Sequence, residues 1–203
     1  QTQLTDYLNQ LLLVSDFNDY APNGLQVEGK STVKRIVTGV TACQALIDKA
    51  IALKADALIV HHGFFWKNES PCIIGAKQRR IQSLLAQDIN LYGYHLPLDA
   101  HESLGNNIQL ANQMSWKVTK PLQIMNGHPM GLTGELEQAI TLSDFAKSIE
   151  QITKRKPLAI DGNHKKVKTI AWCTGGAQDM IDQAIEHGVD CFISGEVSER
   201  ITH

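Results

Sequence analysis

The sequence contains the same arrangement of residues twice. The first copy consists of Thr38-Gly39, Ile47–Ile51 and Asp56–Ile59, and the second consists of Thr174-Gly175, Ile181–Ile185 and Asp190–Ile193. In both copies the spacing from the Ile-Asp pair to the later aspartate is identical. Since an apolar strand, a helix and a second apolar strand explain this pattern, the repeat predicts a duplicated strand-helix-strand unit.

Short apolar runs alternate with segments of helical spacing in the first half of the chain. Leu4, Tyr7, Leu8 and Leu11 predict an N-terminal helix that ends near Ser15. Strands are expected over residues 25–27, 35–40, 57–61 and 91–94, with helices around 46–51 and 78–87. Because strands and helices alternate, the pattern indicates an α/β fold with a parallel sheet.

The segment Ser115–Gly131 is rich in residues that favour turns, including Pro121, Asn126-Gly127 and Pro129. We therefore expect the chain to cross here from a first half, residues 1–122, into a second half, residues 123–203. A helix is expected after this segment, with Thr141 or Ser143 as its N-cap.

The composition excludes several classes of protein. The chain has 203 residues, 43% of them hydrophobic and 20% charged, as in a globular protein of one large or two small domains. Basic and acidic residues are interspersed and the net charge is -2, which argues against binding to duplex nucleic acid. No apolar run approaches the roughly 20 residues of a membrane span. Four cysteines without CxxC spacing predict reduced thiols and a cytoplasmic protein.

Histidines and an aspartate follow two of the expected strands. The apolar run Ala57–Val60 ends in His61-His62-Gly63, and the strand near residue 91 leads into His95 and then Asp99. Ligands of parallel α/β sheets bind beyond the carboxyl ends of the strands, and neighbouring strands lie about 4.8 Å apart. The sequence therefore predicts a site where imidazole and carboxylate groups bind zinc, iron or manganese.

The adjacent pair His61-His62 sets a condition on this site. Successive side chains of a strand point to opposite faces, so both imidazoles reach one site only if the chain turns immediately after Val60. Gly63 would make such a turn inexpensive. The two rings could then bind different ions of a dinuclear centre, in which paired metals activate a water molecule.

Other residues carry weaker signals. His95, Glu196 and His203 could bind the metal, orient its ligands or transfer protons, although each also suits a structural role in a loop or cap. In the duplicated unit, Glu196 falls opposite His62. The aromatic segment Phe64–Lys67 could stack on a base and bind a phosphate, although an aromatic cluster is more often core packing or a subunit contact.

Five motifs, in the same order along the chain, resemble the GTP cyclohydrolase I type 2 family, also called Nif-three-like. They are Ala21-Pro22-Asn23-Gly24-Leu25-Gln26-Val27, Thr38-Gly39-Val40-Thr41, Ile59-Val60-His61-His62-Gly63, His95-Leu96-Pro97-Leu98-Asp99 and Ile193-Ser194-Gly195-Glu196-Val197. The resemblance covers essentially the whole chain. It implies two intertwined three-layer α/β/α halves, a homohexamer, and two divalent metal ions per subunit with His61, His62 and Asp99 as ligands.

The resemblance also concerns the ends of the chain and the activity. Family members continue past His203 to a late His and Glu of the metal site, so we expect a C-terminal part to be missing from this sequence. The implied function is a metal-dependent hydrolase that acts on a nucleotide or related small molecule, with ring opening of GTP as one example. The alternative is a hexameric metal-binding regulatory or interaction protein without catalytic activity.

Overall fold

The computed structural model describes residues 1–162 and 166–202. They form two compact units, Gln1–Leu98 and a second unit that begins at Asp99. Each unit contains one four-stranded sheet covered by helices, which confirms the predicted α/β class.

The helices and strands follow one another in the order that the apolar spacing predicts for much of the chain. In the first unit they are α1 Thr2–Leu11, β1 Gly24–Val27, β2 Ile36–Thr41, α2 Gln44–Ala52, β3 Ala57–His62, α3 Gly75–Ala86, β4 Asn90–Gly93 and the short α4 Leu96–Asp99, which reaches the first residue of the second unit. In the second unit they are α5 Asn106–Met114, β5 Lys117–Met125, β6 His128–Ile140, α6 Leu142–Thr153, β7 Val167–Cys173, α7 Ile181–Glu186, β8 Cys191–Ser194 and α8 Glu199–Thr202. Short 3₁₀ turns lie at Val14–Asp16 and Gln178–Met180.

The first sheet has the strand order β1-β4-β3-β2. Strands β2, β3 and β4 are parallel, as predicted, and β1 is an antiparallel edge strand. Side chains of β3 alternate between two apolar layers: Leu58 and Val60 pack with α2 and α3, whereas Ala57 and Ile59 pack with α1. Burial on both faces explains why this strand is a continuous apolar run.

The second sheet has the order β5-β6-β7-β8, and its β7-β8 pair is parallel. Strands β5 and β6 are antiparallel neighbours, so the sheet is mixed. One face packs against α5 and α6 through Trp116, Phe145 and Trp172, and the other packs against α7 through Ala184.

The duplicated unit is present in both sheets with the same register. Ile36 of β2 pairs with Ala57 of β3, and Ile170 of β7 pairs with Cys191 of β8. This register places Trp172 and Cys173 at the positions of Thr38 and Gly39. The Thr174-Gly175 pair, which the sequence pattern matched to Thr38-Gly39, is therefore two residues out of step, because these common residue types matched by composition alone.

In each copy of the repeat, an aspartate links the two neighbouring strands by hydrogen bonds. Asp56 Oδ2 accepts hydrogen bonds from the backbone N–H groups of Lys34 and Arg35, at 2.8 and 2.7 Å. Asp190 Oδ2 accepts in the same way from Lys168 and Thr169, at 2.9 and 2.8 Å. The recurrent aspartate of the repeat thus joins the start of one strand to the start of the next.

The segment Ser115–Gly131 does not cross between domains. It forms most of a β hairpin, in which Met125 pairs with His128 and the turn residues Asn126 and Gly127 have φ values of 51° and 84°. Positive φ at both central residues is typical of a tight two-residue hairpin turn and explains the Asn-Gly sequence. The compact units accordingly divide after Leu98, and α5 and β5 lie in the second unit rather than in a first half that ends at residue 122.

Two further features bear on the class of protein. Within the described ranges, no helix combines the length and the apolar content that crossing a bilayer requires. All four cysteines lie in those ranges, and none of them forms a disulfide.

Candidate metal centre

Three imidazoles meet at the carboxyl ends of β3 and β4. The potential ligand atoms of His61, His62 and His95 all lie within 4.8 Å of one another. The ring centroids are 4.4 Å apart for His61 and His62, 5.1 Å for His61 and His95, and 5.6 Å for His62 and His95. All three residues are half-buried. His95, which the sequence left among the weaker candidates, thus lies in direct reach of both members of the pair.

The backbone brings the rings together without the turn that the sequence predicted. Strand β3 continues through His62, which pairs with Thr41 of β2. The chain leaves the sheet at Gly63 rather than after Val60. The predicted turn after Val60 is therefore wrong: His61 and His62 are the last two residues of the strand, and their ligand atoms still lie within 4.8 Å of each other.

Strand register explains the position of His61. Val60 pairs with Gly93 in the parallel β3-β4 pair, so His61 lies beside Tyr94. The Nδ1 atom of His61 donates to the carbonyl oxygen of Tyr94 at 2.9 Å. Because a carbonyl oxygen can only accept, Nδ1 carries the proton and the lone pair of the neutral ring lies on Nε2.

His95 is held by a buried carboxylate. Its Nδ1 lies 2.8 Å from Asp19 Oδ1, and the Asp19 side chain is only 2% exposed. Burial alone would raise the pKa of Asp19, but hydrogen bonds from His95, Asn23 and the backbone of Leu96 outweigh it and hold the pKa below its ordinary value. The ionised carboxylate therefore accepts from Nδ1 and fixes the orientation of the ring, as carboxylates do behind metal-binding histidines.

Asp19 lies in the loop before β1, and Asn23 of the same loop also binds His95. Asn23 Oδ1 accepts from the backbone N–H of His95 at 2.7 Å, and Asn23 Nδ2 donates to Asp19 Oδ2 at 2.8 Å. The Leu96 N–H donates to the same Asp19 oxygen at 2.9 Å. Gly24 pairs with Gly93 across the antiparallel β1-β4 edge, which places this loop opposite the residues that follow β4.

Gln26 supports the other side of the cluster. Its Oε1 accepts from the Phe64 N–H at 2.7 Å, and its Nε2 donates to the Pro22 carbonyl oxygen at 2.8 Å. A Cβ atom at Gly63 would overlap the Gln26 amide. Glycine is thus needed at residue 63 for the close approach of a side chain, and not for a left-handed turn.

Asp99, Glu196 and His203 are the remaining candidates. Asp99 ends α4 at the start of the second unit, and its Oδ1 accepts from Asn106 Nδ2 at 2.6 Å. Glu196 is exposed after β8, where its N–H donates to Ser194 Oγ at 3.5 Å, and by register it has the position that His62 has in the first copy. His203 lies outside the described residues. The roles of these three residues stay predictions.

Sequence reasoning missed Asp19, Asn23 and Gln26. Asn23 and Gln26 belong to the motif Ala21-Pro22-Asn23-Gly24-Leu25-Gln26-Val27, and Asp19 precedes it. Their side chains bind backbone N–H groups of distant segments, which leaves no periodic pattern. The available signal was the density of side-chain acceptors immediately before a strand of only four residues.

The residues present fit a transition metal. Imidazole is a good ligand for zinc, iron and nickel, and metal-binding histidines commonly donate their other ring N–H to a carboxylate or carbonyl oxygen. His95 and His61 show these two arrangements with Asp19 and Tyr94, respectively. His61, His62 and His95 together would supply the three protein ligands that are usual at a catalytic zinc ion.

Comparisons with known proteins agree with the fold and the motifs. The profile of the family Duf34/NIF3 (NGG1p interacting factor 3) matches residues 1–203. Proteins named GTP cyclohydrolase 1 type 2 homolog are 52% identical in Haemophilus influenzae, over 99% of this chain and 80% of the relative, and 53% identical in Escherichia coli K12, over 100% and 80%.

Solved structures give the same result. A structure described as protein ybgI, unknown function, has a TM-score of 0.94 and 53% identity and covers 100% of this chain and 80% of its own. TTHA1606 from Thermus thermophilus has a TM-score of 0.84 and 35% identity with the same coverage. From its sequence and its fold, over its whole length, this chain belongs to the Duf34/NIF3 family.

Proposed function

We propose that this protein is a metal-dependent hydrolase that acts on a nucleotide or a related small molecule. The observation that carries the proposal is the set of three imidazoles whose potential ligand atoms lie within 4.8 Å of one another at the carboxyl ends of parallel strands. This edge of a parallel sheet is where α/β proteins bind their ligands.

His61, His62 and His95 would hold the metal. When bound there, a divalent ion supplies Lewis acidity, which lowers the pKa of water toward neutrality and polarises a carbonyl or phosphoryl oxygen of the substrate. The protein contributes fixed orientations. Asp19 keeps the His95 proton on Nδ1, and the Tyr94 carbonyl oxygen does the same for His61, so both rings present Nε2 to the cluster.

The nucleotide class is supported by the relatives. Those that are about half identical to this chain are named GTP cyclohydrolase 1 type 2 homologs. Opening the imidazole ring of GTP is a hydrolysis at a carbon between two nitrogens, and a Lewis acid beside a proton-transfer group suits that reaction. Hydrolysis of a phosphate ester suits the same site.

We further propose two divalent ions per subunit, zinc, iron or manganese, with Asp99 as an additional ligand, and assembly as a homohexamer. Glu196 and His203 remain candidates for proton transfer or for orienting ligands. Elemental analysis of the purified protein gives the ion and its stoichiometry, and light scattering after size-exclusion chromatography gives the number of subunits. A value below one ion per chain after saturation with each metal would refute the metal centre.

The experiment that tests the activity compares three proteins on a panel of nucleotides. The metal-saturated wild type is expected to turn over at least one nucleotide, and His62→Ala is expected to lose this activity and bound metal. His128→Ala, which changes a histidine of the second unit at the start of β6, is the matched control and should retain both. Metal binding and intact assembly without turnover would instead favour the alternative, a metal-binding regulatory or interaction protein.

A further inference from the structure

Two aromatic side chains lie beside the imidazole cluster. The Trp66 ring is 5.1 Å from the His95 ring and 5.6 Å from the His62 ring, both in edge-to-face geometry. The Tyr20 ring is 6.4 Å from the His95 ring on a different segment of chain. Tyr20 is 59% exposed and Trp66 is half-buried, so both retain accessible ring surface.

Packing of the core does not explain these two rings. Phe64 is buried in the cluster between the first sheet, α2 and α3, and Phe65 packs against the same cluster. Trp66 and Tyr20 belong to neither of the apolar clusters that cover the two faces of this sheet. In the segment Phe64–Lys67, the first two aromatic residues therefore serve the core, whereas the third contacts the histidines.

Backbone hydrogen bonds connect the segments that carry both rings. The Tyr20 N–H donates to Asp19 Oδ1 at 2.5 Å, the same oxygen that accepts from His95. The Tyr20 carbonyl oxygen accepts from the Lys67 N–H at 2.6 Å. Tyr20 thus joins the loop that supports His95 to the loop that carries Trp66, and a connection already formed in the free protein lowers the cost of ordering these loops around a ligand.

We propose that Tyr20 and Trp66 bind the planar ring of a purine nucleotide by stacking and so place it beside the imidazole cluster. Aromatic side chains bind bases through their π faces, and a rigid exposed ring loses little conformational entropy on binding. Lys67, which follows Trp66 directly, is exposed and makes no side-chain hydrogen bond or ion pair with any residue in the described ranges. Its ammonium group is available to a phosphate of the same ligand. The inference rests on the proposed function and limits its substrate to purine nucleotides.

Binding of guanosine 5′-monophosphate to protein treated with EDTA tests this proposal without turnover. Of the three tryptophans, Trp116 and Trp172 are buried at 7% and 0% exposure, so quenching of the tryptophan emission by the nucleotide would report on Trp66. We expect quenching by guanosine 5′-monophosphate and none by ribose 5-phosphate, which lacks the base. Equal binding of the two ligands in calorimetry would show that phosphate alone is recognised and would overturn the proposal.

Variants assign the effect to the rings. Calorimetry should show guanosine 5′-monophosphate binding weakened about tenfold or more in Trp66→Leu and in Tyr20→Ala, and largely retained in Trp66→Phe and Tyr20→Phe, which keep an aromatic face. Tyr7→Ala is the matched control, because Tyr7 is 62% exposed on α1 and its ring makes no contact with the cluster in the described ranges. Unchanged affinity in both Trp66→Leu and Tyr20→Ala, with circular dichroism like that of the wild type, would also overturn the proposal.

The two proposals can fail separately. If no nucleotide is turned over but the metal-free protein binds guanosine 5′-monophosphate through Tyr20 and Trp66, the stacking site stands and the hydrolase does not. If a nucleotide is turned over and the ring variants retain wild-type KM and affinity, the hydrolase stands and the stacking site does not.

Discussion

Replacement of Asp19 by asparagine changes one oxygen of a buried carboxylate into an NH₂ group. Each Asp19 oxygen accepts two hydrogen bonds: Oδ1 from Tyr20 N and His95 Nδ1, and Oδ2 from Asn23 Nδ2 and Leu96 N. The amide has one accepting oxygen. If this oxygen stays with Asn23 and Leu96, the NH₂ group faces Tyr20 N and His95 Nδ1; the proton of the neutral His95 ring can then move to Nε2, and the Tyr20 N–H alone loses its acceptor. At about 1–2 kcal/mol for a donor left without an acceptor, Asp19→Asn should lower the free energy of unfolding by about 1–2 kcal/mol.

The same change should weaken metal binding. Without the carboxylate, the His95 ring loses the partner that fixes its orientation and raises its basicity, and such changes typically reduce metal affinity about 10–100-fold. Urea unfolding of the metal-free protein measures the first effect, and titration of Zn²⁺ against a chromophoric chelator measures the second. Asp6→Asn, the same chemical change on the exposed face of α1, should alter neither quantity.

Two results would refute this reasoning. A folded Asp19→Asn protein with wild-type zinc affinity would mean that His95 is not a ligand or needs no orientation. A loss of zinc affinity equal to that of His95→Ala, without loss of stability, would mean that Asp19 itself binds the metal rather than the His95 ring.

Three further predictions concern the framework of the fold. Asn90 is fully buried; its side chain accepts from the Gly29 N–H and donates to the carbonyl oxygens of Lys30 and Asp56. Asn90→Leu should lower the free energy of unfolding, measured with urea, by about 2–4 kcal/mol. A decrease below about 0.5 kcal/mol would contradict this role of Asn90. Hydrogen bonds from Lys30 and from two backbone N–H groups hold the pKa of Asp56 well below its ordinary value of 3.8. The ionised Asp56 carboxylate therefore stabilises the fold fully above pH 3.8. This stabilisation is lost as the pH falls from 3.8 through the lowered pKa of the folded state. The stability difference between the wild type and Asp56→Asn should therefore shrink in acid, and a constant difference from about pH 7 to pH 3 would argue against it. Thr141 accepts from the N–H three residues later at the start of α6, so Thr141→Ala should cost about 1 kcal/mol and Thr141→Ser much less, as measured by thermal unfolding.

Elements with a regular apolar spacing could be predicted from the sequence. The run Ala57–Val60 is buried on both faces of its sheet, and continuous hydrophobicity is the direct signature of that environment. Asp56 and Asp190 each accept from two backbone N–H groups at equivalent positions near the start of the preceding strand, and this shared role explains why the aspartate recurs in the sequence. Of the two expected N-caps of α6, Thr141 or Ser143, the structure has Thr141.

Features that depend on contacts between distant segments could not be predicted. Asn126-Gly127 indicates a turn, but the residues themselves do not show whether the chain continues as a hairpin or passes to another domain. Asp19 and Gln26 act on His95 and Phe64, which are far away in the sequence and come close only through strand register. The apolar pattern reports burial, and it carries no information on which backbone N–H a buried oxygen will meet.

The length of strand β3 separates a residue that stabilises the fold from the residues of the candidate metal centre. Asp56, which clamps the start of β2, immediately precedes the strand, and His62 ends it, so about 20 Å of extended chain lies between them. Substitutions at the clamped end can adjust the stability of the domain without disturbing the histidine end, and the histidine end can change its ligands while the sheet stays intact. A scaffold arranged in this way can carry different side chains at the same strand end of its two copies, as His62 and Glu196 do, while the aspartate at the other end stays the same.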